Sequence, residues 1–203
     1  MNPKVLIAGL AAIVVCFAVV SVRMAQGISD NIAASDREFA VANEVLSPLF
    51  DIYALSLVDG QAKVSRGLMP RETFCASISK LEAEAEALIE KYENSEKPDA
   101  AGLKAQHLKV KGYLARVRTV CSSGDLSELN STGMTKDLYE IIDPMTEIIN
   151  GLLEHSLNVS RGHKASADKS VSKIHRFNEV AIGLALVFSV APWISKTKKK
   201  GKK

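Results

Sequence analysis

The stretch that decides the fold class is "FCASISKLEAEAEALIEKY", residues 74–92. Its apolar side chains recur in steps of four and three, at Phe74, Ile78, Leu81, Ala85, Leu88 and Tyr92. Steps of this size place side chains on one face of an α-helix, because the helix has 3.6 residues per turn. Polar residues fill the positions between and are expected to face solvent: Ser79, Lys80, Glu82, Glu84, Glu86, Glu90 and Lys91. The stretch therefore predicts an amphipathic helix that buries one side.

A similar stripe precedes this helix, formed by Phe39, Ala42, Leu46, Leu49, Tyr53, Leu57 and Val64. It ends at "RGLMPRE", residues 66–72, where Gly67 and Pro70 indicate a turn. A second turn is predicted at "NSEKPD", residues 94–99, because Pro98 disfavours helix at the residue before it.

Two more stripes follow the second turn. One is formed by Leu103, Val110, Tyr113, Val117 and Val120 and ends near Gly124. The other is formed by Leu138, Ile142, Met145, Ile149, Leu152, Ser156 and Val159. Pro144 lies inside this last stripe, where it is expected to start or to kink the helix.

Two apolar segments flank the four stripes. Residues 5–22, "VLIAGLAAIVVCFAVVSV", contain no charge over eighteen residues, the length of a membrane-spanning helix. A cleaved signal peptide is the alternative, although its apolar region would be shorter. The second segment begins near Val180 and carries Trp193 close to its end.

Six lysines follow the second segment, against one lysine before the first. This bias predicts that both termini are cytoplasmic and that the middle of the chain faces the other side of the membrane. Nucleic-acid binding is the alternative role for the basic tail. The whole chain has a net charge of +3, so the remainder without the six lysines carries 3 − 6 = −3. Because that remainder is acidic, we expect no nucleic-acid partner.

The predicted fold class is therefore all-α: an up-down-up-down four-helix bundle between two transmembrane helices, with long first and last helices continuous with the membrane spans. The predicted parts are a cytoplasmic N-terminus (1–4), transmembrane helix 1 (5–23), an extracytoplasmic domain (24–178), transmembrane helix 2 (179–195) and a cytoplasmic basic tail (196–203). The two short inner helices cover only the membrane-distal half of the long ones. The uncovered stalk needs a partner to bury its apolar side, which predicts a homodimer.

The cysteine positions predict a disulfide between Cys75 and Cys121. Residues on two antiparallel helices lie level when they are equidistant from the turn, and the midpoint of 75 and 121 is residue 98, in the predicted turn. A domain outside the cytoplasm would allow the bond to persist. Two buried free thiols are the alternative, because free cysteine often behaves as a small apolar residue.

No catalytic pattern is present in the sequence. The four histidines, His107, His155, His163 and His175, are scattered and have no partner at metal-ligand spacing. They are expected to be surface or groove residues. The chain is therefore predicted not to be an enzyme and to hold neither metal nor cofactor.

The segment "LVDGQAKVSRGLMPRETFCASISKLEAEAEALIEKYENSEKP", residues 57–98, resembles part of the four-helix-bundle ligand-binding domain of methyl-accepting chemotaxis proteins. The matching positions are Asp59, Lys63, Arg66, Gly67 and Tyr92. The segment "DPMTEIINGLLEHSLNVSRGHKASADKS", residues 143–170, resembles the last helix of that domain. Chemoreceptors of this family carry, beyond the second span, a linker module and a cytoplasmic signalling hairpin, which these 203 residues do not contain.

The resemblance implies a sensor in the bacterial inner membrane with a periplasmic domain, and small organic acids or amino acids as its ligands. Full-length chemoreceptors are then further candidate partners. The residues that fit a carboxylate best form a predicted basic group: Lys63, Arg66, Arg71 and Arg118. The alternative is that these cations pair with nearby acids, namely Asp59, Glu72 and Asp125. The competing function is a structural or adaptor membrane protein that binds no ligand.

Overall fold

The fold is taken from a computed structural model, which describes the backbone of residues 3–95, 97, 100–123, 129 and 131–200. Side chains are described for residues 9, 11–95, 97, 100–123, 129, 131 and 133–187. All regular secondary structure in the described part is helical, which confirms the all-α class.

The first helical run extends without a break from residue 3 to residue 65 and is called helix 1. It begins as α1 (Pro3–Val41), widens into a π-helical stretch π1 (Ala42–Leu46), and returns to α-helix in α2 (Ser47–Phe50). A second π-helical stretch, π2 (Asp51–Asp59), follows, and α3 (Gly60–Ser65) completes the run. The predicted first stripe thus lies on one helix, but that helix is not α-helical throughout.

The turn after helix 1 is closed by a glycine in the left-handed region. Gly67 has φ of +71°, a conformation that residues with a Cβ adopt only with strain. Its N–H donates to the carbonyl of Val64, and the N–H of Leu68 donates to the carbonyl of Lys63. This pair of bonds is the Schellman motif that ends many helices. Pro70 then caps α4 (Arg71–Glu93), so both predicted turn residues lie where the sequence placed them.

The remaining helices are α5 (Ala100–Ser123) and α6 (Thr132–Lys200). Helix α6 runs through Pro144, which lies in its interior and does not start a new helix. Pro98 and Gly124, the predicted turn and stop residues, lie outside the described residues.

Residues 37–160 form one compact unit with a continuous hydrophobic core. The core receives buried side chains from helix 1, α4, α5 and α6, among them Leu49, Tyr53, Phe74, Ile78, Val110, Tyr113, Ile142 and Met145. The unit lies within residues 24–178, the predicted extracytoplasmic domain.

The prediction that Phe39 belongs to the buried first stripe is wrong. Phe39 is 55% exposed, whereas Ser35 and Ala42 are buried. Phe39 lies only two residues after Arg37, where the compact unit begins, and the apolar core of helix 1 begins at Ala42.

The second unit comprises residues 1–36 and 161–203. Within it, the rings of Phe17 and Phe177 lie 4.3 Å apart between centroids. His163 Nδ1 lies 3.1 Å from Asn31 Oδ1. These contacts join the N-terminal helix to α6 inside this unit.

Among the described residues, one helix is long and apolar enough to cross a membrane. It is the run Ala11–Ser65, whose most apolar window of eighteen residues has a mean hydropathy of 2.0 and is not buried within the chain. Length and composition alone support this statement, and a signal sequence near the N-terminus satisfies the same test. Part of the predicted second span, and the basic tail, lie beyond the described side chains.

Candidate functional site

The predicted basic group is divided by the structure. Lys63 Nζ lies 2.5 Å from Asp59 Oδ2, one turn earlier on helix 1, so this cation has an acidic partner. Arg66 is exposed at the end of α3, and Arg71 is half-buried in the first turn of α4. These three residues lie on either side of the turn closed by Gly67, as the sequence predicted.

Arg118 does not belong with the other three cations. Its Nη1 donates to Glu82 Oε2 over 2.5 Å, from α5 to α4. Glu82 lies 82 − 71 = 11 residues beyond Arg71 on the same helix, or about 16 Å along its axis. Arg118 therefore lies about three turns from the predicted site and is occupied by another partner.

Glu82 was also expected on the solvated face of α4, and that expectation is wrong. Its side chain is only 10% exposed, and the Arg118 guanidinium, at 45%, still reaches solvent. A buried carboxylate without a partner would be costly, so the pair is a consequence of burial and not a free ligand site.

A disulfide joins Cys75 on α4 to Cys121 on α5, with the two Cα atoms 5.8 Å apart. This is the pair that the symmetric spacing about residue 98 predicted. The half-buried cysteines pack against the core beside Phe74 and Val120. Cys16, in the first apolar segment, is exposed and free.

A buried hydrogen bond connects the middle of helix 1 to α5. Tyr53 Oη, in π2, lies 2.6 Å from His107 Nδ1, and both side chains are buried. Within the described part of the chain the other ring nitrogen, His107 Nε2, has no hydrogen-bond partner. Burial lowers the pKa of His107, and the positive charge of Lys111 acts in the same direction. Its predicted place at a surface or groove is therefore wrong.

A second buried hydrogen bond joins the same two helices near the turn. Tyr113 Oη on α5 donates to Gln61 Oε1 on α3, and Gln61 Nε2 donates to the carbonyl of Leu129 over 3.4 Å. Burial raises the pKa of Tyr113 to about 12. Each polar atom in this set has a partner, as buried polar groups require.

A third polar contact joins α5 to α6 near the internal proline. Gln106 Nε2 donates to the carbonyl of Ile141 over 2.7 Å, and Ile141 lies three residues before Pro144. The carbonyl that loses its helical donor at Pro144 is that of Glu140, four residues back, and Glu140 is an exposed residue. Helix α5 thus takes part in all three of these polar contacts, through Gln106, His107 and Tyr113.

An open groove of about 730 Å³ lies between α5 and α6, called here the α5–α6 groove. Two of its lining side chains are polar, Glu147 and His155. The other lining residues are apolar: Gly102, Pro144, Ile148, Gly151 and Leu152. The volume falls within the range of small-molecule sites. No sequence signal identifies this groove, because glycines and a proline do not mark a groove by themselves.

No group of three or more histidine, cysteine, aspartate or glutamate side chains in the described residues is arranged to hold a metal ion. His155 lines the α5–α6 groove, and His163 contacts Asn31.

Comparisons with protein-family models, curated proteins and solved structures found no match for this chain.

Proposed function

We propose that this chain is a sensor anchored in the bacterial inner membrane, with a periplasmic four-helix bundle that binds a small solute and shifts one long helix against another. Residues 5–23 and 179–195 are the two spans of the proposal, and both termini are cytoplasmic. The proposed assembly is a homodimer in the lipid bilayer, joined through the stalk, with full-length chemoreceptors as further partners. The proposed protein is not an enzyme.

The observation that carries the proposal is the Cys75–Cys121 disulfide inside a core built from four helices. Disulfides persist outside the cytoplasm, which supports a position of the bonded unit on that side of the membrane. The unit is attached through helix 1 to an apolar segment of membrane-spanning length. A helical domain held outside the cytoplasm by such a segment has the architecture of a transmembrane sensor.

Two places on residues 37–160 are candidates for the solute. Arg66 and Arg71 have no acidic partner among the described residues and suit a carboxylate. The α5–α6 groove offers instead an apolar wall with Glu147 and His155, which suits a ligand that carries a positive group. An amino acid carries both a carboxylate, which suits the two arginines, and an ammonium group, which suits the groove. An organic acid carries only the carboxylate.

A thermal shift screen of the full chain against organic acids and amino acids tests the proposal. A solute at one hundred times its dissociation constant stabilises the folded unit by about 2.7 kcal/mol. That corresponds to a rise in melting temperature of about 10 °C for a unit of this size. If no solute raises the melting temperature at millimolar concentration, the sensor proposal is refuted.

Matched variants locate the site of any solute that binds. The first variant is Arg66→Gln/Arg71→Gln, and its control is the exposed Lys80→Gln. If the rise in melting temperature is lost in the double variant and kept in the control, the solute binds at Arg66 and Arg71. Gly151→Leu fills the α5–α6 groove, and a Cβ at Gly151 meets no atom within 4 Å, so this variant is expected to fold. Loss of the shift in Gly151→Leu alone assigns the groove.

A structural or adaptor protein is the second candidate, favoured by one observation. Two of the four cations proposed for ligand binding, Lys63 and Arg118, already pair with acids of the same chain. An adaptor of this kind would dimerise without binding a solute. Single cysteines placed along residues 28–40 are expected to crosslink between chains with a helical period in both cases. A pattern without a period would contradict the dimer.

A further inference from the structure

His107 is a titratable side chain near the middle of α5 that the core encloses almost completely. It is 4% exposed, and Tyr53, its hydrogen-bond partner in π2, is 1% exposed. Tyr53 Oη lies 2.6 Å from His107 Nδ1, and in the part of the chain that the structure describes no polar atom pairs with His107 Nε2. The neutral ring therefore already leaves one buried polar atom unpaired, which is costly in a folded protein.

A second proton on the ring makes this contact less favourable. The imidazolium carries an N–H on both ring nitrogens, whichever nitrogen held the proton before. The N–H of Nδ1 then donates to Tyr53 Oη, so the tyrosine O–H has no acceptor among the described residues. The N–H of Nε2 has none there either. The charged ring therefore leaves two donors and a positive charge unpaired inside the core.

The charged groups around the ring do not compensate for this cost. Two acids of α4 face it, but Glu82 is paired with Arg118, and Glu86 is paired with Lys111 of α5. Burial and the charge of Lys111 have the largest effects on the pKa of the ring, and both favour its neutral form. On helix 1 the facing titratable group is Tyr53, whose pKa is raised by burial, so it stays neutral. The described side chains that α6 buries are apolar residues and serines, which do not titrate.

Openings of the unit that bring His107 to water are therefore favoured by acid. The ring in water has a pKa of 6.5, whereas burial lowers the pKa in the closed unit. Below pH 6.5 the open form thus binds more protons than the closed form, and the closed form loses stability relative to it as the pH falls. Local openings of this kind occur in folded proteins without global unfolding. An opening that brings this ring to water breaks its contact with Tyr53.

We propose that the Tyr53–His107 hydrogen bond is an acid-sensitive contact between helix 1 and α5, which opens locally when His107 takes up a proton from the solvent. Two contacts further along α5 limit the opening. They are the Gln61–Tyr113 hydrogen bond and the Cys75–Cys121 disulfide, and neither contains a group that titrates near neutral pH. As an acid signal in a sensor, the contact rests on the proposed function. The acid-sensitive opening itself does not.

Hydrogen exchange of the full chain in lipid nanodiscs tests the proposal, with no solute added, at pH 7.5 and at pH 5.5. Each amide exchange rate, read by mass spectrometry, is divided by the intrinsic rate at the same pH, which gives the opening constant. For residues 103–110 of α5 this constant should rise on acidification by up to about tenfold, the limit for a group of pKa 6.5 that stays neutral in the closed form. Residues 114–120, beyond Tyr113, are expected to change less.

Matched variants assign the effect to this ring. His107→Gln removes the titrating group and should abolish the rise, whereas His155→Gln, at an exposed position of α6, should keep it. An opening constant for residues 103–110 that does not rise in the wild type, or that rises equally in His107→Gln, overturns the proposal. A rise that depends on urea as steeply as global unfolding also overturns it, because the proton then acts only on the whole unit. The wild-type measurement needs no variant that folds, and its outcome is independent of the thermal shift screen that tests the sensor proposal.

Discussion

Removal of the Cys75–Cys121 disulfide should lower the free energy of unfolding of residues 37–160. The bond closes a loop with a sequence separation of 46 residues between α4 and α5. In the chain-entropy account, closing a loop of this length removes about 13 cal/mol/K from the unfolded chain, or about 4 kcal/mol at 25 °C. A domain of this kind has a free energy of unfolding of about 5–15 kcal/mol, so the bond contributes a large share of it.

The perturbation is Cys75→Ala/Cys121→Ala, with Cys16→Ser as the control because Cys16 is exposed and free. Urea unfolding monitored by circular dichroism gives the free energy of unfolding for each variant. We expect the double variant to lose about 4 kcal/mol and the control to lose less than about 0.5 kcal/mol. Reduced wild-type protein should match the double variant. Equal stability of the oxidised wild type and the double variant would refute the reasoning.

Three further predictions concern individual side chains. The folded-state pKa of His107 is lowered below 6.5, so the unfolded chain binds more protons. The free energy of unfolding should therefore fall as the pH falls below about 6.5, and urea titrations from pH 8 to 5 should show a smaller slope in His107→Gln. Gly67→Ala should lower the free energy of unfolding by about 1 kcal/mol because of the positive φ. Gly112→Ala, in open space on α5, should raise it by a similar amount. Urea unfolding of the two variants should therefore show changes of opposite sign. Arg118→Ala should cost about 2 kcal/mol because Glu82 is left buried without its partner, but Glu82→Leu should cost less, since Arg118 already reaches solvent. Equal losses in the last two variants would contradict that asymmetry.

The helical class and the cysteine pairing followed from the sequence because both rest on local spacing. Steps of three and four residues define a helix face whatever packs against it. The symmetric positions of Cys75 and Cys121 about residue 98 depend only on the hairpin. Gly67 and Pro70 were identified for the same reason, since the turn needs their backbone conformations in any tertiary context.

The polar interior did not follow from the sequence, because it depends on which helices meet and at what height. Nothing local distinguishes Glu82 from the exposed glutamates of α4, and only the approach of Arg118 makes its burial tolerable. His107 was grouped with the scattered histidines, since its partner Tyr53 lies 54 residues away. The π-helical stretches were missed because the stripe from Leu46 to Val64 fits an α-helix equally well.

The measurement that tests the central claim most directly is the reaction of single cysteines with a thiol reagent that does not cross the inner membrane. In a Cys16→Ser background, Leu68→Cys places a thiol at the turn after helix 1, where the native side chain is 72% exposed, and Gly201→Cys places one in the basic tail. The disulfide-bonded pair does not react without reductant. If the domain lies outside the cytoplasm between two spans, intact cells with a permeabilised outer membrane label Leu68→Cys, and Gly201→Cys reacts only after lysis. Labelling of Gly201→Cys in intact cells, or protection of Leu68→Cys until lysis, would contradict the account.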